Sequence, residues 1–92
     1  MNELRELYRE ASKNFMADRI KQFRRSKDLS QEAMAEQLRI DPRSYSDLER
    51  KVYSCSLLTF FFFTRQLSDE AILQLLKAIG AALERIDGHD VA

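Results

Sequence analysis

The chain has 92 residues, of which 45% are hydrophobic and 33% charged, as expected for one small globular domain. Its formal net charge is zero, which argues against a protein that coats nucleic acid but is compatible with a local basic face. The single cysteine, Cys55, excludes an internal disulfide framework and fits a reducing compartment. The chain starts with charged residues, and no apolar run approaches the ~20 residues needed to span a bilayer. The sequence therefore predicts a cytoplasmic protein without a membrane segment.

The chain contains few residues of the types that form turns, and this predicts an all-helical fold. The chain contains two glycines and one proline, whereas strands need turns that usually contain these residues. At the N-terminus, apolar residues recur every three or four positions on one helical face: Leu4, Leu7, Tyr8, Ala11 and Phe15. The face rotates from Met16 onward, so the pattern fits either one long helix over residues 1–25 or two helices that break near residues 12–14.

Capping residues mark the next two helices. Ser30 is a candidate N-cap for a short helix over residues 31–38. Asp41 followed by Pro42 predicts a second start, because proline is favoured at the first helical position. That helix is expected to end at about Arg50.

Two further helices follow a loop over residues 51–55. Ser56 can cap a helix that contains four consecutive phenylalanines, residues 60–63. Ser68 begins a last helix over residues 69–86, and Gly88 is expected to stop it. The predicted fold is therefore all-α, with five or six helices.

The most informative block is QEAMAEQLRIDPRSYSDLER, residues 31–50, in which two short helices are joined by a tight turn. Its apolar residues are spaced to close a small core between the helices: Met34, Leu38, Ile40, Tyr45 and Leu48. Ala35 lies where the helices must cross closely, since a bulky side chain there would push them apart. This pattern is typical of a helix-turn-helix.

The segments LSQEAMAEQL, IDPRSYSDLER and SLLTFFFFTRQL together resemble the lambda repressor-like, Xre-type helix-turn-helix regulators. The resemblance covers residues 15–67. In that family the last segment usually reads Ser-Leu-x-Thr-Leu-x-x-Leu, and this chain matches those positions with Ser56, Leu57, Thr59, Phe60 and Phe63. Where the family often has glycine, in the turn and after the recognition helix, this chain has Arg39 and Lys51. Both positions usually favour a left-handed backbone.

The resemblance implies that residues 42–50 form a recognition helix whose N-terminal part reaches base edges in the major groove. The implied DNA-facing residues are Pro42, Arg43, Ser44 and Asp47. Gln31 is expected to contact a phosphate and to brace Arg43. The implied contacts with the DNA backbone are Lys51, Tyr53 and Ser54. Arg43 is expected to donate to guanine O6 and N7. Asp47 would be repelled by phosphates unless it accepts from cytosine N4. The resemblance also implies a structural ion pair between Arg24 and Glu49.

The phenylalanine run needs more than one covering surface, because four successive helical side chains sweep about 300°. On the family pattern, Phe60 and Phe63 replace core leucines. The remaining apolar surface predicts a homodimer interface formed by Leu58, Phe61, Phe62, Ile72, Leu76, Ile79 and Leu83. The alternative is that the N-terminal stripe of Leu4, Leu7, Tyr8 and Ala11 folds back over part of it.

The sequence thus predicts an N-terminal helical extension (1–14), a helix-turn-helix DNA-binding domain (15–67) and a C-terminal dimerisation helix (68–92). The expected function is a sequence-specific transcriptional regulator, a repressor of bacterial or phage origin that binds a palindromic operator in double-stranded DNA. One rival is the antitoxin of a toxin–antitoxin pair, which would also bind a partner protein. Another is an interaction module that lost DNA binding, favoured by Asp47, the absent glycines and the zero net charge. No metal site, cofactor or enzyme activity is expected.

Overall fold

The computed structural model describes residues 2–91, with side chains for residues 3–88. This part of the chain is all-helical, as predicted, and has five helices. They are α1 (Asn2–Ser26), α2 (Gln31–Leu38), α3 (Pro42–Glu49), α4 (Leu57–Thr64) and α5 (Asp69–Val91). The N-terminal stretch is one continuous helix rather than two. The proposed division at residues 14 and 67 stays a prediction, and its first and last residues, 1 and 92, lie outside the described residues.

Side-chain caps set the starts of the short helices, as the sequence predicts. The Ser30 hydroxyl accepts the Ala33 amide at 3.0 Å, and the Asp41 carboxylate accepts the Ser44 amide at 2.9 Å. The Ser56 hydroxyl likewise accepts from the Thr59 amide at 3.1 Å. Each cap satisfies one backbone N–H that the first helical turn leaves unpaired, and is worth about 1 kcal/mol.

One core joins all five helices. Its buried members are Met16, Ile20, Met34, Ala35, Leu38, Tyr45, Leu48, Phe63 and Leu75. Helix α2 packs on α3 and α4, while α1 packs on α3 and α5. Ala35 is fully buried, in agreement with its expected place at a close helix crossing.

The four phenylalanines divide among different environments. Phe63 is 2% exposed and meets Phe23 of α1 edge to face, with ring centroids 5.5 Å apart. Phe60 and Phe62 are half-buried against the core, whereas Phe61 is 52% exposed. The prediction that Phe60 and Phe63 face the core is therefore confirmed, most fully for Phe63.

The end of α5 differs from the prediction. The helix continues through Gly88 to Val91, and no described glycine has a positive φ. Glycine inside a helix costs about 1 kcal/mol relative to alanine but does not by itself end the helix. The longer α5 lies against α1, where the Tyr8 hydroxyl donates to Asp87. Part of the N-terminal stripe thus covers α5, as the alternative proposed, although Leu7 stays exposed.

We expect Phe63→Ala to lower the free energy of unfolding by about 3–5 kcal/mol, because it empties a fully buried, ring-packed site. Phe61→Ala, two positions earlier in the same helix, should cost under about 1 kcal/mol in the monomer. Urea unfolding followed by circular dichroism measures both. Equal losses for the two variants would contradict this placement of the rings.

Candidate nucleic-acid interface

Helices α2 and α3 are joined by a turn that depends on one left-handed residue. Arg39 has φ 62° and ψ 35°, and its amide donates to the Glu36 carbonyl at 3.1 Å. The next amide, that of Ile40, reaches back to the Ala35 carbonyl at 3.1 Å. This closes the C-terminal end of α2 and reverses the chain into the Asp41 cap of α3. Lys51, after α3, is also left-handed with φ 65°.

Helix α3 buries one face and exposes the other. Tyr45, Leu48 and Glu49 are buried, while Pro42 and Arg43, in its first turn, are exposed. The exposed first turn is the part of a recognition helix that would enter a DNA groove.

Glu49 anchors the buried face through four hydrogen bonds. Arg24 of α1 donates through Nε to Oε2 at 2.6 Å and through Nη2 to Oε1 at 3.2 Å. Gln31 of α2 donates to Oε1 at 3.1 Å, and the Tyr45 hydroxyl donates to Oε2. The structure thus contains the Arg24–Glu49 ion pair that the resemblance implies, with the Glu49 side chain only 4% exposed.

The pKa shifts in this network keep the Arg24–Glu49 pair charged. Burial raises the pKa of Glu49, but the hydrogen bonds from Arg24, Tyr45 and Gln31 outweigh it, so the pKa lies below its usual value. The bond to Glu49 raises the pKa of Arg24, and burial raises that of Tyr45. Around neutral pH the network therefore holds one carboxylate and one guanidinium.

Several predicted DNA-facing residues lie together at the start of α3. The Ser44 hydroxyl donates to the Asp41 carboxylate at 2.7 Å, and the Ser44 carbonyl accepts from the Tyr53 hydroxyl. The second contact ties the loop after α3 to the first turn of α3, beside exposed Ser54. Bonds from the Ser44 amide and hydroxyl lower the pKa of Asp41, so the cap stays ionised at neutral pH.

The remaining predicted contacts have partners within the chain. Gln31 donates its amide N–H to Glu49 at 3.1 Å, which leaves its oxygen as an acceptor, so the expected bracing of Arg43 stays a prediction. Asp47 forms an ion pair with Arg50. Lys51 lies 3.1 Å from Asp18 of α1, at an exposed site.

Two contacts that local spacing could have indicated were not predicted from the sequence. Tyr45 lies four residues before Glu49, and Arg50 lies three after Asp47, so both pairs share a helical face. The Asp18–Lys51 pair had no such signal, because it joins distant segments. Among the described residues no group of metal-binding side chains occurs, and neither long helix has an apolar stretch sufficient to cross a membrane.

Residues 20–61 match a family model whose description is Helix-turn-helix. The match begins inside α1 and ends inside α4, so it contains α2, the turn and α3 in full. No curated protein and no solved structure matches the chain.

Glu49→Ala should lower the free energy of unfolding by about 3–5 kcal/mol, because it leaves the Arg24 charge partly buried without a partner. The effect should depend on pH. A carboxyl whose pKa is lowered on folding adds stability above its unfolded pKa, near 4.5, and loses it as pH falls through the folded value. Urea unfolding between pH 7 and pH 3 should thus show parent and Glu49→Gln converging in acid.

Glu36→Gln is the matched control, since Glu36 is an exposed carboxylate on α2. Its unfolding free energy should track that of the parent at every pH. A Glu49→Gln curve parallel to the parent curve would contradict the ion-pair account.

Proposed function

We propose that the chain is a lambda repressor-like (Xre-type) transcriptional repressor that binds a palindromic operator as a homodimer, a proposal supported by the helix-turn-helix match over residues 20–61. Its site of action would be the cytoplasm, where bacterial or phage DNA lies. The observation that carries the proposal is the state of α3. Arg24 of α1 and Gln31 of α2 hold its buried face through Glu49, while its first turn stays exposed with Arg43.

The rigid mounting of α3 favours base reading over a general attraction to DNA. A recognition helix must hold its side chains within hydrogen-bond distance of base edges, and Arg43 is well placed in the sequence to donate to guanine. Arg50 and Lys51 follow the same helix and add positive charge for phosphates. Both are already paired with carboxylates, so phosphates would compete with Asp47 and Asp18.

Two findings weaken the rival of an interaction module that lost DNA binding. Arg39 and Lys51 adopt the left-handed conformations that the family's glycines favour, so the turn geometry is retained. The Asp47 charge is offset by Arg50 on the same helix, which lowers its repulsion from phosphates. The departures from the family pattern at these positions are therefore no argument against DNA binding.

The dimer would use the exposed apolar surface of α4 and α5. Its most exposed members are Leu57, Leu58, Phe61, Leu73 and Leu76, at 49–67%. Of the interface residues predicted from sequence, Leu58, Phe61 and Leu76 remain exposed. Phe62, Ile72, Ile79 and Leu83 are half-buried within the chain, so their share of an interface would be smaller.

A cleft beside this surface gives the dimer a place for an inserted side chain. It has a volume of about 300 Å³ and lies between α1, α4 and α5, with Leu57 and Leu76 at its rim. Cys55 also lines it, and burial raises the pKa of this thiol to about 11, so the group is neutral at physiological pH. An apolar knob from a symmetry mate would fill such a cleft.

Arg43→Ala should weaken binding to the selected operator by about 1–3 kcal/mol and relax specificity at one base pair, with the fold unchanged. Lys51→Ala should instead weaken binding to all duplexes and reduce the salt slope by about one. Lys77→Ala, an exposed lysine of α5, is the control. Selection of bound duplexes from a random pool supplies the operator. An Arg43→Ala variant that binds it like the parent would remove the base-reading role.

Phe61→Glu combined with Leu76→Glu should convert a dimer into a monomer of 10.8 kDa, because charge would be buried at the twofold interface. Light scattering at micromolar concentration measures this. The same double variant should lose palindromic selection, since one monomer cannot span half-sites about 34 Å apart. Leu7→Glu, on α1, is the matched control. A dimer that survives the double variant but not Leu7→Glu would assign the interface to α1.

A further inference from the structure

Two arginines from different helix ends share one aromatic ring. The guanidinium carbon of Arg39 lies 5.2 Å from the Phe62 ring centroid, and that of Arg65 lies 5.7 Å from it. Arg39 follows α2 and Arg65 follows α4, so the ring joins the C-terminal ends of two helices. Phe62 is half-buried beneath them.

The arginines open onto a cavity that contains no acidic side chain. It has a volume of about 240 Å³ and is lined by Gln37, Arg39, Phe62, Arg65 and Gln66. Neither arginine takes part in an ion pair within the part of the chain described here, although Arg24, Arg50 and Lys51 all do. The cavity therefore combines two positive charges, two amides and an aromatic wall.

The fold only partly compensates this charge. Each helix C-terminus carries about half a negative charge, so the two helix ends offset roughly one of the two guanidinium charges. Arg39 also occupies a left-handed position, which favours glycine over residues with a side chain. Its contact with Phe62 offsets part of that strain.

We propose that this cavity binds a carboxylate from an acidic segment of a partner protein. Guanidinium groups match the planar fork of a carboxylate, and the amides of Gln37 and Gln66 flank it as further donors. The charge of the cavity is complementary to such a ligand and has no counterpart within it. Gln66 already donates to the Phe62 carbonyl at 3.3 Å, which keeps its amide beside the ring while a second N–H remains for a ligand.

The cavity shares no lining residue with the proposed DNA surface, which favours a protein ligand over DNA phosphate. None of the predicted DNA-contacting residues lines it. It lies at the C-terminal end of α2, about 12 Å along the helix from Gln31 at the other end. The guanidinium of Arg39 extends over α4 rather than along α3. A carboxylate bound here would leave the recognition helix free, so this proposal does not depend on DNA binding.

The test is titration of the full chain with a capped peptide that carries two adjacent glutamates between uncharged residues. Side-chain Nε–Hε resonances of arginine report binding in ¹H–¹⁵N spectra. Resonances of Arg39 and Arg65 should shift saturably, and a peptide with glutamines in place of the glutamates should not shift them. The dissociation constant should rise about tenfold in Arg65→Gln and in Arg39→Gly. Glycine suits the left-handed position, so the second variant removes the charge without straining the turn.

Arg25→Gln, on the exposed surface of α1, is the control and should bind the peptide like the parent. The proposal is overturned if the glutamine peptide binds equally well, or if Arg25→Gln weakens binding as much as the cavity variants. It is also overturned if inorganic phosphate or a duplex of random sequence displaces the peptide and shifts Arg39 and Arg65 more strongly. Either result would assign the cavity to phosphate.

Discussion

The buried carboxylate of Glu49 ties α3 to the two helices that precede it. It accepts hydrogen bonds from Arg24 of α1, Gln31 of α2 and Tyr45 of α3 itself, so one group relates three helices. A buried ion pair adds little net stability over apolar packing, but a misplaced partner would strand a charge. The network therefore adds a directional constraint on α3 to the packing of the apolar core. No buried side-chain nitrogen or oxygen among the described residues lacks a partner, as this constraint requires.

Local chemistry explains why the helix starts could be predicted. Ser30, Asp41 and Ser56 each accept an amide within their own first turn, so the signal and its effect lie within a few residues. The continuity of α1 is different. Helix α1 packs on both α3 and α5, so its apolar residues face more than one partner. A sequence pattern does not separate such a helix from two helices. Helix α5 continues past Gly88 because a glycine permits a helix end without requiring one.

The candidate site was predictable to the extent that it repeats a family pattern. The Arg24–Glu49 pair and the left-handed positions could be inferred by resemblance, whereas the pairing of Lys51 with Asp18 joins segments whose contact depends on the completed fold. Gln31 shows the same limit. Its amide N–H donates to the buried carboxylate of Glu49, 18 residues away in the chain, and this contact also depends on the completed fold.

Two of the three left-handed residues in the described part of the chain, Arg39 and Lys51, contact other helices through their side chains. Glycine would close either turn with less backbone strain, but it has no side chain to contact a neighbouring helix. Arg39 instead reaches Phe62 of α4, and Lys51 reaches Asp18 of α1, so each turn is bound to the scaffold from outside its own motif. Phe62 therefore supports the turn between α2 and α3, a role distinct from core packing and from an interface. The four phenylalanines are thus not one hydrophobic feature: Phe63 fills the core, Phe60 packs against it, Phe62 supports the turn, and Phe61 faces outward.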